Sequence, residues 1–140
     1  MIFPPVYELS YVGVADAGVP NGERLLFRPT ELVNVAQFGI LVGRRNPDGT
    51  AVPFYDHFFW FGELVVSPPS WIIVYTGPGQ FQETKLPETG ETAYVYHWGK
   101  SHTVFHVPDI VPVVFRIGGV VVGQRPIPPQ ATPALSRGRP

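Results

Sequence analysis

At 140 residues, 44% hydrophobic and 14% aromatic, the chain is the size of one domain and carries ample apolar material for a single core. A net charge of −1 excludes a general basic field for holding nucleic acid, and the lack of cysteine excludes a disulfide framework and a thiolate zinc site. Seventeen prolines and fifteen glycines interrupt every stretch that would hold a helical period, so the fold class expected is all-β.

Residues 6–14 read as a first strand, with Tyr7, Leu9 and Tyr11 on one face and Glu8 and Ser10 on the other. A loop rich in turn formers (Asp16, Gly18, Pro20, Asn21, Gly22) leads to a short strand over 24–28, stopped by Pro29. Phe38, Ile40 and Val42 alternate with Gly39 and Leu41 in the next strand, and Asn46-Pro47-Asp48-Gly49 reads as the turn of a hairpin. Its returning arm runs from Ala51 into an aromatic stretch where Phe58 and Trp60 face one way and His57, Phe59 and Phe61 the other. That stretch has two readings: the core of one sheet, or a flat platform for a sugar ring or a partner protein.

Trp71-Ile72-Ile73-Val74-Tyr75 is apolar on both faces and closed by Gly77-Pro78-Gly79, the pattern of a central strand covered on both sides. Residues 80–91 are polar with Pro87 and Gly90 and read as a long surface loop. Strands are expected over 93–98, 102–107 and 111–117. In the last, Val111, Val113, Phe115 and Ile117 point inward and Arg116 outward, and the chain turns at Gly118-Gly119 into a closing strand over 120–123. The count is about eight short strands, the number expected of a sandwich or barrel.

The domain so defined is 1–123, followed by a Pro-rich extended tail over 124–140. Through Gly123, seven Lys and Arg stand against all eleven acids, leaving −4, whereas Arg125, Arg137 and Arg139 in the tail meet no acid. The opening residues show neither a basic region nor a long apolar one, so no export signal is visible and a cytoplasmic location is the default. No apolar run reaches the roughly 18 residues of a membrane span.

Several stretches between Glu23 and Gly123 come in a telling order. They are Leu25-Leu26-Phe27, then Glu31-Leu32-Val33-Asn34-Val35 with Phe38-Gly39-Ile40-Leu41, then Pro68-Pro69-Ser70-Trp71-Ile72-Ile73-Val74-Tyr75. Tyr96-His97-Trp98-Gly99 and Val113-Val114-Phe115-Arg116 follow, the latter turning through Gly118-Gly119. This order resembles the lamin tail domain, an immunoglobulin-like β-sandwich. The resemblance implies a non-catalytic module that binds protein partners or itself, with no active site to carry over.

The residues themselves give few chemical leads. His57, His97, His102 and His106 are candidate metal ligands with Asp56 and Asp109, but on one strand face His102 and His106 would lie roughly 13 Å apart, too far to share an ion. Ser101 beside His102 supplies two triad groups, which strand geometry would aim at opposite faces. Glu63, Glu83, Glu88, Glu91 and Asp109 read as solvated surface rather than a glycosidase pair. The expectation is therefore no metal site, no cofactor and no catalytic set. Binding is assigned to the aromatics Phe58, Trp60 and Trp98 and to Arg125, Arg137 and Arg139. The partner expected is a protein or a second copy, and neither nucleic acid nor membrane. A carbohydrate-binding or hydrolytic domain on the same scaffold is the alternative.

Overall fold

The computed structural model describes residues 4–125. The expectations for 126–140, including Arg137 and Arg139, lie outside the described residues. Among the described residues the fold is all-β, with ten strands rather than eight and one short 3-10 turn at Val35–Gln37. The strands are β1 (Leu9–Ala15), β2 (Arg24–Pro29), β3 (Val33–Asn34), β4 (Phe38–Arg45), β5 (Ala51–Trp60), β6 (Val65–Val66), β7 (Ser70–Tyr75), β8 (Gln82–Lys85), β9 (Thr92–His97) and β10 (Ile110–Arg116). A five-stranded sheet runs β1-β2-β7-β9-β8, a three-stranded sheet β10-β4-β5, and β3 pairs with β6. All pairs are antiparallel except β7 with β9.

As the sequence pattern predicts, β7 is the middle strand of the larger sheet. Its Ile72 and Val74 are fully buried beside Leu25 and Phe27 of β2, and they share one core with Phe38, Ile40 and Val42 of β4. Alternation produces this directly: in each strand every second residue is apolar and turns toward the facing sheet. Burying each of these side chains contributes about 1.5–3 kcal/mol. The aromatic stretch of β5 splits by the same rule. Phe59 and Phe61 turn inward, where they pack edge-on against Tyr96 at 5.7 and 5.3 Å between ring centroids, and burial pushes the Tyr96 hydroxyl up to about 12.

Five expectations are corrected. First, the loop expected over 80–91 contains β8, whose Gln82–Lys85 are all exposed and pair with β9 through the backbone ladder and one side-chain bond from Lys85 to the Thr92 hydroxyl, so no apolar period marks it.

Second, the strand expected over 102–107 does not form. The backbone N–H groups of Val104 and Phe105, which a ladder would use, donate instead to the Glu23 carboxylate at 2.6 and 2.9 Å.

Third, β10 is turned over. Its register sets Val114 opposite Ile40 and Pro112 opposite Val42, so Ile110 and Val114 pack on the core while Val111, Val113 and Phe115 share the outer face with Leu41. Arg116, on the inner phase, keeps its charge at the rim by pairing with Glu8, and its guanidinium stands 5.9 Å from the Phe38 ring.

Fourth, no closing strand follows Gly118-Gly119: Val120, Val121 and Val122 are 76%, 94% and 86% exposed. The first strand also starts at Leu9 rather than at residue 6, with a register shift between Tyr11 and Gly13.

Candidate functional site

Two regions bring together residues with chemistry to offer. One is the outer face of the three-stranded sheet. Cross-strand register aligns Trp60 and Phe115 with Gly39 and Phe58 and Val113 with Leu41, so these side chains stand on one surface. Phe58 is 53% and Trp60 50% exposed, with Phe58 and Phe115 rings 6.0 Å apart. Glycine is needed beneath them: a Cβ on Gly39 would stand 2.6 Å from Phe115 Cζ and 3.2 Å from Phe58 Cε1. The Trp60 indole N–H donates to the carbonyl of Ala36 at 2.9 Å, which fixes the ring while leaving one side open.

The edges of this sheet differ from its face. Arg45 N–H donates to the Asp109 carbonyl and Ile117 N–H to the Gln37 carbonyl, at 2.7 and 2.6 Å. These bonds set the parity of the ladder: odd residues of β10 bond to β4, and Pro112 turns its nitrogen to the free edge. By the same alternation Pro53, opposite Gly43, presents its nitrogen at the free edge of β5. Both edges therefore lack a backbone donor where an added strand would need one.

The second region is an open cleft of about 550 Å³ at one end of the sheets, lined by Arg44, His57, Lys100, His102 and His106 above an apolar floor that includes Phe54 and Ile110. Two elements shape it. The register of β5 skips from Phe58 to Pro53 against Leu41 and Gly43, so the chain between them bulges and carries Phe54 and His57 into the lining of the cleft. The opposite wall, residues 101–107, is held from below by Glu23, which is 1% exposed. Its carboxylate accepts from the N–H groups of Gly18, Val104 and Phe105 and from the Thr76 hydroxyl. Burial alone would raise the pKa of this group, but the bonds from Val104, Gly18, Phe105 and Thr76 outweigh it and the net is lowered, so Glu23 is charged at neutral pH.

Within the cleft, His57 Nδ1 lies 2.7 Å from Asp56 Oδ1, and that hydrogen bond is the main cause of a lowered Asp56 pKa. Ser101 Oγ lies 3.2 Å from His102 Nε2. The Ser101–His102 contact exists because 101–107 is a loop, whereas a regular strand would have turned these neighbours apart. The pairs remain separate: no carboxylate bonds to His102 and no hydroxyl to His57 among the described residues. Likewise no three His, Asp or Glu groups among the described residues come close enough to hold a metal ion. Asp109 is tied to Arg44 at 2.5 Å and Glu91 to Arg28 at 2.9 Å.

Comparison with protein-family models, with curated proteins and with solved structures returns no match.

Of the six binding residues taken from the sequence, Phe58 and Trp60 stand together on the outer face. Trp98 does not join them: it packs on the core side at 5.5 Å from Phe59, with Lys100 Nζ 5.7 Å from its ring. Arg125 is exposed. Sequence reasoning passed over Glu23 and Phe115. The signal for Glu23 was available, since it occupies the same alternating phase as buried Leu25 and Phe27, where a solvated acid has no place. Phe115 was legible only once the phase of β10 was known.

Among the described residues no helix is long and apolar enough to cross a membrane.

Proposed function

We propose that the chain is a non-catalytic interaction module of the lamin-tail-like, immunoglobulin-like kind, and that it associates with a second copy through the outer face of its three-stranded sheet. The observation that carries this reading is the exposed surface of Phe58 and Trp60 beside the half-buried Phe115, uncovered among the described residues, on which a rigidly held indole costs little further entropy on docking. Proline at both free edges disfavours strand addition and leaves the face as the surface of contact.

Three strands of about seven residues make a face of roughly 300 Å², against roughly 800 Å² per partner in a stable complex. Association through it alone is accordingly weak. Sedimentation velocity over a wide concentration range tests this: reversible dimers that disappear in Trp60→Ser and Phe58→Ser support the reading. A monomer at every concentration overturns it.

The His57–Asp56 pair inside a cleft favours a second reading, a carbohydrate-binding or hydrolytic domain on the same scaffold. Turnover of aryl glycosides or aryl esters that is lost in His57→Ala would establish it over the first.

A further inference from the structure

We infer that the cleft between β5 and the 101–107 loop binds the phosphate group of a small phosphorylated ligand, independently of any association through the outer face. The argument begins with the balance of donors and acceptors. Arg44, Lys100 and three imidazoles line the cleft against one carboxylate, Asp56, which is already engaged by His57. Arg44 is paired with Asp109, but through one guanidinium nitrogen, so among the described residues its remaining N–H groups are free to donate. Lys100 is in no ion pair among the described residues, where its ammonium makes one long hydrogen bond, to the Asp56 carbonyl at 3.5 Å, and stands 5.7 Å from the Trp98 ring. Ser101 adds a hydroxyl at the same wall. A lining with many donors and one occupied carboxylate is complementary to a ligand rich in acceptor oxygens, and a phosphate offers at least three on one centre.

The site is also fixed before any ligand arrives. Lys100 N–H donates to the Thr76 carbonyl at 2.8 Å, and Val104 and Phe105 are pinned by Glu23, so the loop that presents Lys100, Ser101 and His102 is anchored at two points. A volume of about 550 Å³ exceeds what a bare phosphate fills, and Phe54, Val42 and Ile110 offer an apolar floor to the body of an ester.

The test is titration of the full chain with inorganic phosphate, glucose 6-phosphate and glucose, followed by the ring resonances of His57, His102 and His106. Both phosphates are expected to shift these signals saturably, and glucose to leave them in place. Tighter binding of the ester assigns the cleft to a phosphorylated metabolite, and equal binding assigns it to the free anion. Lys100→Gln is expected to weaken binding about tenfold, and Lys85→Gln, on remote β8, to leave it unchanged. If Lys100→Gln does not fold, Ser101→Ala provides the same readout with a smaller loss. Absence of saturable shifts with either phosphate, or equal affinity in wild type and Lys100→Gln, overturns the inference.

Discussion

The two sheets each turn aromatic residues toward solvent, and they treat them differently. On the five-stranded sheet, the Arg28 guanidinium lies 4.3 Å from the Trp71 ring centroid and is tied to Glu91, while Arg24 stands 5.8 Å from Tyr75 and is tied to Asp16. Glu91 also accepts from the Trp71 indole at 3.2 Å, and His97 stacks on Tyr75 at 5.3 Å. The central strand is covered on both sides, as its composition predicts, but the outer cover is a layer of arginines and their carboxylates rather than a second apolar layer. On the three-stranded sheet, among the described residues no arginine stacks on Phe58, Trp60 or Phe115, and Arg44 and Arg116, on the inner phase of β4 and β10, are paired with Asp109 and Glu8. Among the described residues, one face is covered by side chains of its own sheet and the other is left uncovered.

The sharpest way to break the comparison is to remove the most buried polar closure. Glu23→Gln replaces a four-bond acceptor by an amide with a single carbonyl and unwanted donors, and the expected loss is about 3–5 kcal/mol by denaturant unfolding. A loss below about 1 kcal/mol would mean that the 101–107 loop is held some other way. The same residue sets an acid limb. Its folded pKa lies below the ordinary 4.5, so its contribution is fully present above that value and is lost as pH falls through the folded pKa. Stability measured from pH 6 downward should decline in the wild type more steeply than in Glu23→Gln.

Next in size is Arg28→Ala, which uncovers Trp71 and leaves Glu91 without its partner. About 1 kcal/mol of stability should be lost, and the variant should gain binding of a hydrophobic dye. Unchanged dye binding would show that the arginine is no lid. The smallest effect on stability belongs to Trp60→Ser, within about 0.5–1 kcal/mol of wild type, because the ring is already half solvated. Two outer faces that responded alike to these last substitutions would erase the distinction between them.

How much of this was legible follows from which forces leave a local mark. Alternation marked β2, β4, β5 and β7, and it separated Phe58 and Trp60 from Phe59 and Phe61, because a half-buried strand writes its two faces into every second residue. β8 left no mark, since an edge strand with both faces in water needs only its backbone. The 101–107 loop was misread because the acceptor for its N–H groups lies 81 and 82 residues away in sequence, at Glu23. The phase of β10 was misread because Arg116 looked like an outward residue, whereas its long side chain lies over Phe38 and reaches Glu8 at the rim.

Pro112 and Pro53 carry a consequence for the size of any assembly. A sheet with open edges recruits neighbours without limit, each new strand exposing another edge for the next, and the product is a fibre. Here that route is interrupted on both sides of the three-stranded sheet, at the points where each proline withholds its donor. Contact through the face alone uses the same patch on both molecules, and a two-fold pairing consumes that patch completely. A pair formed in the proposed way would have no further surface of the same kind to offer, so assembly by this route would stop at two.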